Sequence, residues 1–163
     1  MSPEDFQKWT RRVQPRTDDI VFSYETRIGQ AAIIPEGLEC YLGRRMGLVR
    51  VDKTKIEPLY FLYLYLSPPF QSFLNEKIIR GATVDRISIK EFPSFTIPLP
   101  SLDKQKSIVS SVNLLSTETQ RLEAIYSQKL AALNELKQSI LQKAFTGELT
   151  ADTPKTVKEE IAA

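Results

Sequence analysis

A chain of 163 residues, 42% apolar and 26% charged, has room for one ordinary domain and an appendage. Its net charge of +2, on 22 basic and 20 acidic side chains, is too small to imply a nucleic-acid partner by itself. The absence of histidine removes the commonest general base, the usual nucleophilic triads and most zinc chemistry, and the single cysteine, Cys40, excludes an internal disulfide framework.

Ser2-Pro3-Glu4-Asp5 has the form of a helix start: a capping serine, a first-turn proline, then acids at the positive dipole end. It predicts a short helix over 3–10, and it has neither the basic nor the apolar region of a signal peptide. Thr17-Asp18-Asp19 is a turn. Residues 20–22, 31–34 and 46–51 are strand candidates; Gly29 separates the first two, and Pro35-Glu36-Gly37 closes the second. The longest apolar run, 59–66, is far too short to span a bilayer and reads as a buried helix starting at Pro58. Ser67-Pro68 breaks it, and a second helix is predicted from Pro69 to about Ile79. Gly81-Ala82-Thr83 is a loop, and Val84 and Ile87-Ser88-Ile89 then alternate. Three prolines (Pro93, Pro98 and Pro100) make residues 92–100 an extended lead-in.

Residues 104–146 then run 43 positions without glycine or proline. Apolar side chains recur there at helical spacing: Ile108, Val112, Leu115, Leu122, Ile125, Leu130, Leu133, Leu136 and Ile140. One helix of this length is about 60 Å long, more than a compact domain of this size spans. The helix is therefore expected to protrude and to bury its stripe against another helix. Steps of four and three from Ile108 reach Tyr126 through Thr119. The next apolar residue is Leu130 where a strict heptad requires Lys129, an extra four-residue step that relaxes left-handed supercoiling. Gly147 is a natural stop. The fold class expected is α+β: a small mixed α/β domain, then one long helix in an antiparallel coiled coil with a partner.

Nothing in the sequence assembles a catalytic set. Its six glycines are scattered singly, so no phosphate-binding loop is present. Asp18, Glu25 and Lys53 could be forced into magnesium-dependent nuclease chemistry, but nothing in the sequence favours it. The expectation is a protein that is not an enzyme, without metal or cofactor. Basic residues, by contrast, are clustered. Residues 44–55 hold Arg44, Arg45, Arg50, Lys53 and Lys55 against Asp52; residues 77–90 hold Lys77, Arg80, Arg86 and Lys90 against Asp85; Arg11, Arg12 and Arg16 form a third group. Such clusters suit a phosphate-facing surface, and equally suit solvated loop ends answered by nearby acids.

Phe145-Thr-Gly-Glu-Leu149, preceded by Lys129-Leu-Ala-Ala-Leu-Asn-Glu-Leu-Lys-Gln-Ser-Ile-Leu-Gln-Lys-Ala144, resembles the conserved helical region of the specificity subunits of type I restriction–modification enzymes. So does Ile97-Pro-Leu-Pro100 with Gln105 and Ile108-Val109. Gly29, Ala32-Ile-Ile-Pro35 with Gly37, Leu42-Gly-Arg-Arg-Met-Gly47, Ser67-Pro68 with Phe70-Gln71, and Gly81-Ala-Thr-Val84 are similar to a target-recognition domain of that family. The series covers residues 2–149. It implies a non-catalytic, cytoplasmic prokaryotic subunit that reads one half of a bipartite site in double-stranded DNA. It also implies docking of modification subunits and, through them, restriction subunits. By this resemblance residues 1–102 are a recognition-like domain, amino-terminally truncated, 103–147 the spacer and dimerisation helix, and 148–163 a polar tail. One recognition region and one helix stand where the full-length subunit has two of each, which implies a homodimer; the alternative is a truncated module that assembles through its helix and reads no DNA.

On this basis Arg44, Arg45, Thr83, Lys77, Arg80, Arg86, Lys90, Arg11 and Arg12 are the candidate DNA contacts. Arginine's fork fits phosphate or the O6 and N7 edge of guanine. The competing expectation is a salt bridge from Arg44 or Arg45 to Glu36 or Glu39, and pairing of Arg11, Arg12 or Arg16 with Asp18 or Asp19. The tyrosine-rich run 60–65 invites base stacking, but its helical spacing favours core packing. Ile108, Val112, Leu115, Leu122, Tyr126, Leu130, Leu133, Leu136 and Ile140 are the expected helix–helix interface.

Overall fold

The computed structural model describes residues 6, 9–81 and 84–151, so most of the expected 3–10 helix and residues 152–163 lie outside it. The chain divides into two compact units, Met1–Asn113 and Leu114–Ala163. In the first, among the described residues, β1 (Ile20–Ser23), β2 (Ala31–Ile33) and β3 (Met46–Val49) form an antiparallel sheet in the order β2-β1-β3. β1 is central because its alternation points Ile20 and Phe22 into the core, while its backbone pairs on both edges.

Opposite Phe22 in this register stands Gly47. The Phe22 ring lies over it, so that a Cβ at position 47 would come within 2.6 Å of ring atom Cε1. Phe22 cannot yield, because its other neighbours, Phe92 at 4.5 Å and Tyr65 at 5.8 Å between ring centroids, fill the core. Gly47→Ala is therefore expected to destabilise the protein by about 2 kcal/mol through overpacking, measurable as a lower denaturant midpoint.

α1 (Pro58–Leu66) starts on a proline and buries Tyr60, Phe61, Leu62 and Tyr65. The tyrosine run is thus core for the most part. Tyr60 donates its hydroxyl to the Pro98 carbonyl at 3.0 Å, and burial pushes the Tyr65 phenol up to about 12. Ser67, in an extended conformation, breaks the chain before α2 (Pro68–Glu76), which buries Phe70 and Leu74. α2 ends earlier than its sequence suggests, because Ile79 leaves to exchange backbone hydrogen bonds with Arg86. The alternation from Val84 to Ile89 makes no strand but isolated bridges, Ile79 to Arg86 and Glu25 to Arg86, and turns only Ile87 fully inward. Within the proline-rich lead-in, expected to be extended, Phe92–Ser94 forms a single 3₁₀ turn. Proline is tolerated in a first turn, and this one seats Phe92 on Phe22 and brings Phe95 edge-on to Phe73.

Asp19, at the head of β1, is buried, and Arg50 grips both its oxygens at 2.8 and 2.6 Å while the Arg16 N–H donates at 2.8 Å. Burial alone would raise this carboxyl's pKa; the Arg50 and Arg16 bonds outweigh it, and the net shift is downward. A lowered folded pKa means that the pair stabilises the fold above the ordinary value of 3.8, and that this is lost as pH falls through the lowered value. Arg50→Met is expected to cost on the order of 2 kcal/mol at pH 7, the figure held down by solvent around the half-exposed guanidinium. Urea unfolding from pH 7 to pH 2 should show a smaller acid loss in the variant than in the wild type.

α3 (Leu102–Thr146) contains 45 residues, about 68 Å at 1.5 Å each. Its first turns belong to the first unit. Gln105 is fully buried; it accepts the Glu57 N–H at 2.9 Å and donates to the Lys55 and Pro100 carbonyls at 2.9 and 2.8 Å. Val109 is buried, and Ile108 and Val112 are half-buried. The second unit is helical, and every residue whose burial is described there, from Leu114 to Leu149, is exposed. Gly147 ends α3 at a φ of +78°, as expected of a C-terminal glycine. Beyond it, Glu148–Ala151 add a further helical turn, α4, where a featureless tail was expected.

Candidate nucleic-acid interface

The site grows from the end of β1. Tyr24-Glu25-Thr26 leave the sheet between the 44–45 segment and the 86–87 segment. The Tyr24 N–H donates to the Arg45 carbonyl at 3.2 Å, and the Tyr24 hydroxyl donates to the Arg44 carbonyl at 2.7 Å. On the other side, the Ile87 N–H donates to the Tyr24 carbonyl at 2.9 Å, and Glu25 bridges Arg86. Arg45 pairs with Glu25, Nε to Oε2 at 3.3 Å, and donates from Nη1 to the Thr26 hydroxyl at 3.0 Å. Its acid is therefore Glu25, not Glu36 or Glu39.

Beside this segment an open depression of about 630 Å³ is lined by Trp9, Arg11, Arg12, Tyr24 and Arg44, among others. Trp9 and Tyr41, both exposed, stand 6.2 Å apart between ring centroids. Arg11, Arg12, Arg44, Arg45 and Arg86, drawn from all three basic clusters, therefore gather around one three-residue segment. Arg80 follows Ile79, which pairs with Arg86. Lys77 lies apart, its Nζ 5.4 Å from the Phe73 ring centre in a recess shared with Glu91. Lys90 is exposed in a turn, and Thr83 lies outside the described residues.

Charges that looked like site residues in sequence are spent elsewhere. Arg50 holds Asp19, Lys53 holds Asp18 at 2.6 Å, and Lys55 faces Asp52 at 3.6 Å. Of the forced nuclease set, Asp18 and Lys53 pair with each other, but Glu25 follows the far end of β1 and pairs with Arg45. Among the described residues no group of three acids or thiols could hold a metal, and no helix is long and apolar enough to cross a membrane. Trp9, Tyr24 and Tyr41 escaped sequence reasoning, although Trp9 and Tyr41 each precede an arginine pair by a few positions.

A helix-borne apolar surface is the second candidate site. Leu115, Leu122, Tyr126, Leu130, Leu133, Leu136 and Ile140 are all exposed, Leu115 at 67% and Leu133 at 61%. A single helix can leave such a stripe bare only where something else covers it.

The first unit thus carries a small antiparallel sheet with arginines beyond the end of its central strand, and a long helix follows it. Residues 4–138 match the type I restriction modification DNA specificity domain, and the chain belongs to that family. It is 30% identical over 141 residues to the type I restriction enzyme EcoBI specificity subunit of Escherichia coli, covering 86% of this chain and 30% of that one. It is 29% identical over 135 residues to the putative type I restriction enzyme MjaX specificity subunit of Methanocaldococcus jannaschii, covering 78% and 30% of the two chains. This chain thus spans about 30% of the length of these relatives. A chain from a solved structure, described as the structural basis underlying complex assembly and conformational transition of the type I R-M system, superposes with a TM-score of 0.63. It is 27% identical, over 81% of this chain and 31% of that one.

Proposed function

We propose that this chain is a non-catalytic DNA-specificity subunit of a type I restriction–modification system, acting in the cytoplasm. Its first unit reads one half of a bipartite site in double-stranded DNA, and its helix pairs antiparallel with that of a second copy. Modification subunits dock on the paired helices and recruit restriction subunits. The observation that carries the DNA-reading role is the gathering of five arginines around Tyr24-Glu25-Thr26, beside exposed Trp9 and Tyr41. Phosphates are met by such arginines, and bases by the few that are held in place. The part of the helix beyond the first unit, 114–146, is about 50 Å long at 1.5 Å per residue, a fixed spacer between two reading heads. Arg11, Arg12, Arg44, Arg80 and Arg86 are assigned to the backbone and Arg45 to a base edge; Lys77 and Lys90 serve at most as outlying phosphate contacts.

The test is selection from a pool of random duplexes, with modification subunits present, followed by binding at several salt concentrations. Recovery of one sequence, with affinity falling steeply in salt, is the expected result. Association with modification subunits but recovery of no preferred sequence favours the module that assembles and reads nothing. Failure to associate with them rejects both.

A further inference from the structure

We propose that Glu25 and Thr26 are positioning residues that aim Arg45 at a base edge, an inference that rests on the DNA-reading role above. Thr26 adopts a φ of +64°, in the left-handed region that branched side chains avoid. The same turn contains Gly29 at a φ of +90°, where no side chain is needed. A glycine at position 26 would relieve the backbone, yet threonine occupies it, and its hydroxyl is the acceptor for Arg45 Nη1. The conformation is pinned from both sides: the Ser23 hydroxyl and the Arg27 N–H both donate to the Glu25 carbonyl, at 2.6 and 2.7 Å. Strain that the surroundings hold in place is a mark of geometry kept for use.

Stability does not account for it. The Arg45 side chain is 46% exposed, and ion pairs at such exposure contribute little. The two partners take Nε and one N–H of Nη1. Nη2, at the far end of the fork, has no hydrogen bond or ion pair among the described residues. With the second N–H of Nη1 it can span O6 and N7 of guanine. A free arginine finds any phosphate, whereas one clamped on two atoms meets only a base presented at the right place. Tyr24 donates to the carbonyls of both Arg44 and Arg45, which holds the backbone from which the Arg45 side chain rises.

The experiment compares the affinity of the full chain, with modification subunits, for the selected duplex and for a scrambled one. Thr26→Val keeps the branched shape and loses the acceptor; Glu25→Gln keeps the shape and loses the charge; Thr26→Gly removes both the hydroxyl and the strain. Thr26→Val is expected to lower the selected-to-scrambled ratio about tenfold, with scrambled-duplex affinity, salt slope and melting temperature unchanged. Glu25→Gln lowers the ratio in the same way. Thr26→Gly lowers it while raising the melting temperature, a combination that a merely structural threonine does not give. Undiminished selectivity in Thr26→Val, in a protein whose wild type selects a sequence, overturns this inference alone. A wild type that selects nothing overturns it together with the function it rests on.

Discussion

Leu122→Asp combined with Leu133→Asp is expected to turn a dimer into a monomer, read as a halving of mass by sedimentation equilibrium. Both leucines are exposed on the single helix, on the stripe that runs from Leu115 to Ile140. In a symmetric antiparallel pair each substitution occurs twice, so four leucines leave the interface, about 8 kcal/mol at roughly 2 kcal/mol each. Four carboxylates then face apolar surface, which adds a further cost. The loss exceeds anything that surface ion pairs on the helix can offset; Arg121 and Glu118, at 3.6 Å and largely exposed, are of the kind that contributes under about 1 kcal/mol. The first unit should keep its fold, because its core comes from Ile20, Phe22, Phe61, Tyr65, Phe70, Leu74 and Ile87, none of which lies on the stripe. A wild type that sediments as a single chain at micromolar concentration contradicts the pairing.

Arg44→Ala with Arg45→Ala is expected to weaken binding to the selected duplex about a hundredfold and to flatten the salt dependence by one phosphate contact's worth, roughly 0.9. The two residues act differently. Arg44 faces the open depression with Arg11 and Arg12, so its loss should weaken all duplexes alike. Arg45, pinned by Glu25 and Thr26, should account for most of the lost selectivity. Fluorescence anisotropy with the selected and scrambled duplexes separates the two. Equal losses on both duplexes would assign Arg45 to phosphate as well. Neither substitution touches the core, so near-identical melting curves are expected.

Elements whose signals are local were legible in the sequence. The strands at 20–23, 31–33 and 46–49, the helix opened by Pro58 and the glycine stop at 147 follow from side-chain periodicity and backbone restriction. Elements decided by a distant partner were not. Helix α2 sheds Ile78 and Ile79 because Arg86, seven residues beyond Ile79, offers backbone hydrogen bonds. The proline-rich lead-in turns once because Phe92 finds Phe22 across the core. Charge behaved likewise: Arg44, Arg45 and Arg50 look alike as neighbours in sequence, but only the fold assigns Arg50 to buried Asp19. Glu25 and Thr26 gave no warning, since neither a lone acid nor a lone threonine has a signature. Their importance comes from a turn conformation and from a partner 19 to 20 residues away.

Phe92, which stacks on the central strand, has a consequence for how the chain emerges from the ribosome. All three strands are synthesised within the first 49 residues, yet the ring that closes over Phe22 comes more than forty residues later. Until then the nascent sheet has a greasy, half-roofed face, and contacts this distant in sequence form slowly. The head can close over Phe22 only when the segment that feeds the long helix has been made, so its maturation is timed to the birth of that rod.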